Sequence, residues 1–139
     1  MTEIRSTEKI IRTERKNVYE FISDINNFNT LVPEERAGDF EANRDSCRFS
    51  VEGLGQVGIR VVSREPEKNV EFESEGGIPF QVNLLIELDE SLPEGTVMKM
   101  TLRADLNMMM QMIAKNPMKE GLEKASTKLS DYLNERQWP

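Results

Sequence analysis

The sequence predicts an α+β fold in which one antiparallel sheet is covered by a long C-terminal helix. From Gly38 to Asp105, apolar and polar residues alternate with a period of two, which is typical of strands that bury one face only. After Pro117 the apolar residues recur at steps of three and four and so share one stripe of a helix: Met118, Leu122, Ala125, Leu129 and Leu133. Because a helix with one apolar stripe is not stable alone in water, we expect it to pack on the sheet.

Six short strands are predicted in the alternating region, joined by connections of about two to six residues. Glycines at the breaks, including the Gly76-Gly77 pair, favour tight turns. The residues expected to face the core are Phe40 and Ala42; Cys47, Phe49 and Val51; Val57, Ile59 and Val61; Val70 and Phe72; every second residue from Phe80 to Leu88; and every second residue from Met98 to Leu106.

Three elements are predicted before the meander. An opening strand covers residues 3–12, with Ile4 and Ile10 on one face and Ile11 on the other. A helix capped by Thr13 follows, because apolar residues recur at helical spacing: Val18, Phe21, Ile22 and Ile25. A second short helix or turn then ends at Pro33. The predicted order is β-α-α-β6-α, in one domain covering residues 1–139.

The C-terminal region is predicted to form two helices. Proline is tolerated in the first turn of a helix, whereas in the interior it costs about 3 kcal/mol. Pro117 therefore suggests a short helix from Asn107 to Lys115, followed by a long helix that starts at Pro117.

Charge and composition restrict the partners and the compartment. The net charge is −7 and the basic residues are scattered, which disfavours nucleic acid and, for the same reason, an anionic membrane surface. No run of apolar residues is long enough to span a membrane, and the N-terminus lacks a secretory h-region, so we expect a cytoplasmic protein. The single Cys47 is expected to be a buried small hydrophobe.

Most catalytic chemistries lack their usual residues here. The chain contains no histidine, which removes the commonest general base, most zinc sites and every nucleophile–histidine pair. Glycine-rich nucleotide-binding loops and calcium-binding loops are also absent from the sequence. We therefore expect no catalytic residue, no metal and no cofactor.

The order of elements and several local motifs resemble the START/Bet v 1-like superfamily, also called SRPBCC or the polyketide cyclase/dehydrase and lipid-transport group. The matching segments run in the family's order over residues 4–133. Val18 to Asp24 resembles the family's V-x-x-F-[IL]-x-D helix, and Asn27 to Pro33 resembles its segment ending in L-x-P. Glu65-Pro66 with Val70 resembles its Glu/Pro/Val hairpin, and Gly95-Thr96 resembles its G-T-x-[VM] turn. The resemblance implies a helix-grip fold, in which a curved sheet wraps the terminal helix and encloses an apolar cavity. It also implies binding of lipids, quinones, polyketides or similar molecules, without a catalytic motif shared by all members.

The leading hypothesis is that the chain binds a small hydrophobic, lipid-, quinone- or polyketide-like ligand between the sheet and the C-terminal helix. Seven of the eight methionines lie within residues 98–118, and flexible thioethers adapt to varied apolar guests. Ordinary core filling explains such a cluster equally well. The residues predicted to line the site are Phe72, Ser74, Leu84, Met98, Met100, Leu102, Met109, Ile113 and Leu122.

Two alternatives stay open at this point. A cyclase-type enzyme would need a carboxylate in the cavity, and Glu8 shares the strand parity of Ile4. A bulge near Glu8, or a frayed edge, would instead leave this carboxylate in water. The other alternative is a protein-interaction module with a filled core, which would bind a protein partner through the sheet edge or the methionine-rich helix.

Overall fold

A computed structural model describes residues 2–31, 40–51, 55–77, 80–91, 95–136 and 138. It confirms the predicted α+β fold, since eight described strands form one antiparallel sheet and a 28-residue helix covers it, consistent with a helix grip. The strands are β1 (Thr2–Arg5), β2 (Lys9–Ile11), β3 (Glu41–Ala42), β4 (Ser46–Val51), β5 (Gly55–Glu65), β6 (Asn69–Ser74), β7 (Val82–Ser91) and β8 (Gly95–Ala104). The helices are α1 (Arg15–Ile22), a 3₁₀ helix (Ile25–Leu31) and α2 (Met108–Glu135).

The sheet has the order β1-β8-β7-β6-β5-β4-β3, and β2 continues along β8 beyond the end of β1. The strands from β3 to β8 are the predicted six-stranded meander, each paired with the next along the chain. The first strand pairs with the last and forms an edge of the described sheet, and α2 contacts β1, β2 and β8.

A bulge interrupts the opening strand. Ser6 is held to Met100 by its backbone N–H, which donates to the Met100 carbonyl, and by its hydroxyl, which accepts from the Met100 N–H. Lys9 already pairs with Met98, so two residues on this strand stand opposite Lys99 alone. Because side chains alternate between faces, the extra residue exchanges the two faces of the strand.

The exchange corrects the predicted parity of residues 3–12. Ile4 and Ile11 are buried, whereas Ile10 is 61% exposed on the outer face. Glu8 is also exposed, and its carboxylate lies 3.7 Å from the Lys99 ammonium. The bulge alternative for Glu8 is therefore what the structure contains, and this carboxylate does not face the core.

A second bulge redirects a charged residue. The register of β5 against β6 shifts between Val61 and Ser63, which leaves Val62 without a cross-strand partner. Beyond the shift Arg64 pairs with Val70 and so lies on the inner face with it. Strict alternation continued from Val61 would have placed Arg64 on the outer face.

Arg64 uses this position to join three segments. Its Nε donates to the Ser23 carbonyl at 2.9 Å, just beyond the C-terminus of α1. Its Nη2 donates to the Arg44 carbonyl at 3.0 Å and forms an ion pair with Asp45 at 2.8 Å. A guanidinium is suited to this position because it offers several donors in one plane, beside the negative end of a helix.

The prediction of two C-terminal helices is wrong, because α2 runs without a break through Pro117. The helix is started by Asn107, whose side-chain oxygen accepts from the Met110 N–H at 2.8 Å. Pro117 removes one hydrogen bond, the one to the Ile113 carbonyl, and both residues are exposed. Water can therefore satisfy that carbonyl, and the good helix formers on either side keep the rod continuous.

The first helix also differs in detail from its prediction. Its N-cap is Glu14 rather than Thr13, and Glu14 makes no side-chain capping hydrogen bond. Thr13 is buried. Its hydroxyl oxygen accepts a hydrogen bond from the Asn17 side-chain amide at 2.7 Å, and its backbone carbonyl accepts one from the Thr96 hydroxyl. The predicted end of the second helix at Pro33 lies outside the described residues.

Candidate ligand-binding face

At one end of the sheet's inner face, which we call the closed end, the apolar side chains are buried. The closed end holds the apolar side chains that face inward near β2, near the C-terminal end of β7 and near the N-terminal end of β8. The apolar side chains of α1 and of the second half of α2 pack against them. Together they are Ile11, Val18, Ile22, Ile25, Val70, Ile86, Leu88, Met98, Leu129 and Leu133.

Specific contacts fasten the helices over the closed end. The Phe21 ring of α1 lies 5.4 Å, centroid to centroid, from the Tyr132 ring of α2. The Asn134 side chain accepts from the Arg12 N–H at 2.7 Å and donates to the Ile10 carbonyl at 3.0 Å. The second half of α2 is thereby attached both to α1 and to β2.

The direction of α2 follows from two of its contacts. Glu123 binds Thr7 and Lys9, while Asn134 binds the backbone near Arg12, so the helix runs in the same direction as β1 and β2. Since residues before Glu123 must lie toward β1, the first half of α2 crosses the other end of the sheet, where Thr2 stands beside Ala104.

At that end, which we call the open end, the inner-face side chains are mostly only half-buried. They form two rows that run across neighbouring strands. In the first row Leu102 pairs with Leu84, Leu84 with Phe72, and Phe72 with Val61. In the second row Val82 is hydrogen-bonded to Ser74, which pairs with Ile59. The half-buried members of the open end are Phe49, Ile59, Val61, Ser74, Val82, Leu84 and Leu102, with Ala114 and Met118 of α2.

The predicted site residues divide among four places. Ser74, Leu84 and Leu102 lie in the open end. Phe72, Met100 and Leu122 are buried at the border between the two ends, and Met98 is fully buried in the closed end. Met109 and Ile113 are exposed on the side of α2 that faces away from the sheet. Seven of the nine positions thus share the interior, and the two on the first turns of α2 do not.

Ser74 has a local partner for its hydroxyl oxygen. The oxygen accepts from the Val82 N–H at 3.0 Å, which fastens β6 to the start of β7 across the Gly76-Gly77 turn. Both glycines have positive φ, as the turn prediction required. The Ser74 hydroxyl proton remains available as a donor.

Two further hydroxyls in the interior were not predicted. Thr2 Oγ1 and Ser126 Oγ are buried and have no hydrogen-bond partner among the described residues. Thr2 faces inward at the open end because it pairs with Ala104. Ser126 stands one turn after Leu122 on the buried stripe of α2. The helical spacing from Leu122 could have identified Ser126 as an inward residue. Small polar residues are common on apolar stripes, however, so this spacing alone did not mark Ser126 as a site residue.

The centre of α2 is held by an electrostatic contact. Glu123 accepts from the Thr7 N–H at 2.6 Å, the Lys9 ammonium at 2.9 Å and the Thr7 hydroxyl at 2.7 Å. These donors, the Thr7 N–H first among them, lower the pKa of Glu123 to about 2. The contact fixes α2 at the bulge between β1 and β2.

Cys47 lies on the inner face between Ala42 and Ile59. Burial raises the pKa of this thiol to about 11, so it is protonated at neutral pH. The prediction that Cys47 is buried is confirmed.

A charged depression of about 290 Å³ lies on the outer face of β1, β8 and β7, on the opposite side of the sheet from the open end. Glu3 pairs there with Arg5 at 2.7 Å and with Arg103 at 3.6 Å, and Glu8 pairs with Lys99. These charges largely satisfy one another in solvent, which is typical of a hydrated sheet surface. Glu8, the carboxylate named for the cyclase hypothesis, therefore lies on the outer face and not in the interior.

Within the described ranges, no three acidic or cysteine side chains lie close enough to hold a metal ion. None of the described helices is long and apolar enough to cross a membrane.

Comparison with known proteins identifies the fold. No family profile matches the sequence, and no curated protein matches it significantly. Among solved structures, the protein MLL2253 from Mesorhizobium loti is 14% identical, with a TM-score of 0.74 over 99% of this chain and 100% of its own. XoxI from Bacillus cereus is 10% identical, with a TM-score of 0.71 over 96% of both chains. Aha1 from Colwellia psychrerythraea, a dimer in solution, is 18% identical, with a TM-score of 0.63 over 96% of this chain and 97% of its own.

These likenesses extend over nearly the whole chain and establish a shared architecture. They are compatible with a Bet v 1-like fold. At such low identities they carry no information about ligand or activity.

Proposed function

We propose that this protein is a START/Bet v 1-like binder of a small apolar ligand, and that the ligand occupies the open end beneath the first half of α2. One observation carries the proposal: the apolar side chains of the inner face are buried at the closed end, whereas several of those at the open end are only half-buried, although both ends carry the same kind of apolar side chain. Half-buried apolar surface on the concave side of a sheet is what a hydrophobic guest would cover.

The chemistry of this face favours a weakly polar guest. The inward-facing positions of the described open end are uncharged, since Arg64 stands at the other end and is already bound to backbone carbonyls. Burial of apolar area contributes about 2.5 kcal/mol per 100 Å², part of which offsets the entropy lost on binding. Thr2 Oγ1 and the Ser74 hydroxyl are the groups available at the open end to orient a carbonyl or hydroxyl of the ligand.

The resemblance of the sequence to the superfamily supports the same class of ligand: lipid-, quinone- or polyketide-like molecules. No reaction is proposed, because Glu8 lies on the outer face and the chain has no histidine.

The test combines retention and displacement of ligand. Native mass spectrometry of protein purified from its source should show a mass excess that denaturation removes. Palmitate, a menaquinone and a flavonoid, each added to the delipidated protein, should then be screened for a rise in melting temperature.

Paired variants on adjacent residues of β7 locate the site. Leu84→Trp fills the open end and should weaken binding of the best ligand by about tenfold or more. Leu85→Trp, on the outer face of the same strand, is the matched control and should leave affinity unchanged. Equal effects of the two variants, or a protein that neither retains nor responds to any of these molecules, would refute the proposal.

A further inference from the structure

We propose that Met108, Met109 and Met112, which we call the exposed methionines, form a site of reversible oxidation by peroxides, and that their oxidation loosens the first half of α2. Their side chains are 82%, 72% and 86% exposed. Small oxidants in solution therefore have access to all three. By contrast, Met98 and Met100 of β8 lie in the interior and are 0% and 4% exposed.

The other sulfur groups that the structure describes are less accessible. Cys47, the only thiol of the chain, is buried, and burial raises its pKa to about 11, so it stays in the less reactive protonated form. Met110 and Met118 are half-buried. Because oxidation of methionine follows exposure, peroxide is directed to one five-residue stretch rather than to the whole molecule.

The reaction is an oxygen transfer to sulfur. A lone pair of the thioether attacks one oxygen of hydrogen peroxide, the O–O bond breaks and an S–O bond forms. The proton on the transferred oxygen passes to the leaving hydroxide, which becomes water, and sulfur loses the two electrons that the peroxide gains. A methionine sulfoxide reductase reverses the change, since two of its thiols form a disulfide while the oxygen leaves as water.

The first half of α2 is held on the sheet by few contacts. None of the residues 108–121, all of which the structure describes, is buried. Their described side-chain hydrogen bonds are local: Asn107 caps the helix, and the Gln111 amide donates to the Leu106 carbonyl at 3.2 Å. Pro117 removes one backbone hydrogen bond from the same segment. The stability of this segment therefore depends largely on the intrinsic helix propensity of its residues.

Oxidation lowers that propensity. Methionine is a good helix former, because its unbranched side chain loses little rotamer freedom in a helix. A sulfoxide carries a polar oxygen that can accept from nearby backbone N–H groups. Serine and asparagine side chains compete with helical structure in this way. Three sulfoxides within five residues should therefore shift the first half of α2 toward unfolded forms, while the second half stays fixed by Glu123 and the buried Leu129.

Oxidation of this site is independent of the proposed ligand. Its readouts are oxygen added to mapped peptides and hydrogen exchange of the ligand-free protein. The ligand proposal is read from retained mass and from melting temperature, so either proposal can fail while the other holds.

Peptide mapping by mass spectrometry tests the site. The ligand-free full chain is treated with dilute hydrogen peroxide at neutral pH and sampled over time. The exposed methionines should gain oxygen at least about tenfold faster than Met98 and Met100, which serve as internal controls. Methionine sulfoxide reductases for both epimers, with dithiothreitol as the source of thiol, should then remove the added oxygen.

Hydrogen exchange tests the consequence. In protein oxidised at the exposed methionines, the amides of residues 111–116 should exchange about fivefold faster or more, and those near Leu129 should be unchanged. The matched control is the triple variant Met108→Leu, Met109→Leu, Met112→Leu, because leucine has a similar helix propensity and no sulfur to oxidise. Peroxide treatment of this variant should leave the exchange of the same amides unchanged.

Three results would overturn the inference. The first is oxidation of Met98 or Met100 at a rate similar to that of the exposed methionines. The second is added oxygen that the reductases do not remove from the folded protein. The third is unchanged exchange at residues 111–116 after full oxidation of the exposed methionines, or an equal acceleration in the peroxide-treated leucine variant.

Discussion

The closed and open ends of the inner face are built from the same alternating strands, yet they are packed differently. At the closed end α1, the 3₁₀ helix and the leucine stripe of α2 all meet the sheet, and the side chains there are buried. At the open end the first half of α2 supplies mainly Ala114 and Met118, and several of the strand residues beneath stay half-buried.

The difference shows that strand pattern does not decide how deeply an inward residue is buried. Met98 and Leu102 are equivalent in the pattern of β8, but Met98 is fully buried and Leu102 is not. The covering element makes the difference, because burial requires side chains from a second layer. The better-packed end supplies stability, and the less densely packed end is where we propose that the ligand binds.

The largest expected effect is a difference in stability between equivalent leucines. Leu129→Ala, in the closed end, should lower the free energy of unfolding by about 2–5 kcal/mol, through lost burial and a residual cavity. Leu84→Ala, in the open end, should cost roughly half as much, because its side chain is already partly solvated. Urea denaturation of the ligand-free protein measures both, and equal losses would mean that the two ends are packed alike.

A smaller effect is expected at the proline that divides α2. Pro117→Ala restores an interior hydrogen bond and should stabilise the helix by about 1–3 kcal/mol. Hydrogen exchange should slow for the amides of residues 108–117 and stay unchanged for those near Leu129. If protection rises along the whole helix instead, the first half does not open independently. Slower ligand exchange in this variant would indicate that the segment before Pro117 controls access to the open end.

The smallest effect concerns acid. Because the pKa of Glu123 is lowered from 4.5 to about 2 in the folded protein, its contribution to stability is complete above the unfolded value and is lost as the pH falls from about 4.5 toward 2. Glu123→Gln should remove this component, by less than about 1 kcal/mol since the pair is partly solvated. Urea titrations at pH 7 and pH 3 measure it. Glu120→Gln, on the exposed side of the same helix, is the control and should keep the wild-type difference between the two pH values.

Much of the architecture was predictable from local patterns. Period-two alternation located the strands from β4 to β8, and the leucine spacing located the second half of α2, because these signals depend only on which residues must leave water. The paired glycines of the β6–β7 turn were recognisable for a similar reason, since few other residues adopt positive φ there.

The errors have equally definite causes. A bulge adds one residue without a sequence signature, so Ile10 was placed on the wrong face, the face of Glu8 stayed open between two alternatives, and Arg64 was not expected on the inner face at all. Pro117 was taken as a helix start because proline is costly inside a helix, whereas here the segments on both sides are helical and the missing bond points to solvent.

The chain therefore determines, residue by residue, which segments become strands or helices and which side chains avoid water. Only the tertiary structure decides where two layers meet closely and where they do not. That distinction separates Met98 from Leu102 within one strand, and it leaves Met109 and Ile113 exposed on the same helix that buries Leu129. The physical reason is that a side chain's burial depends on the elements that reach it from elsewhere in the chain, and strand register and helix direction arise only when the whole fold forms.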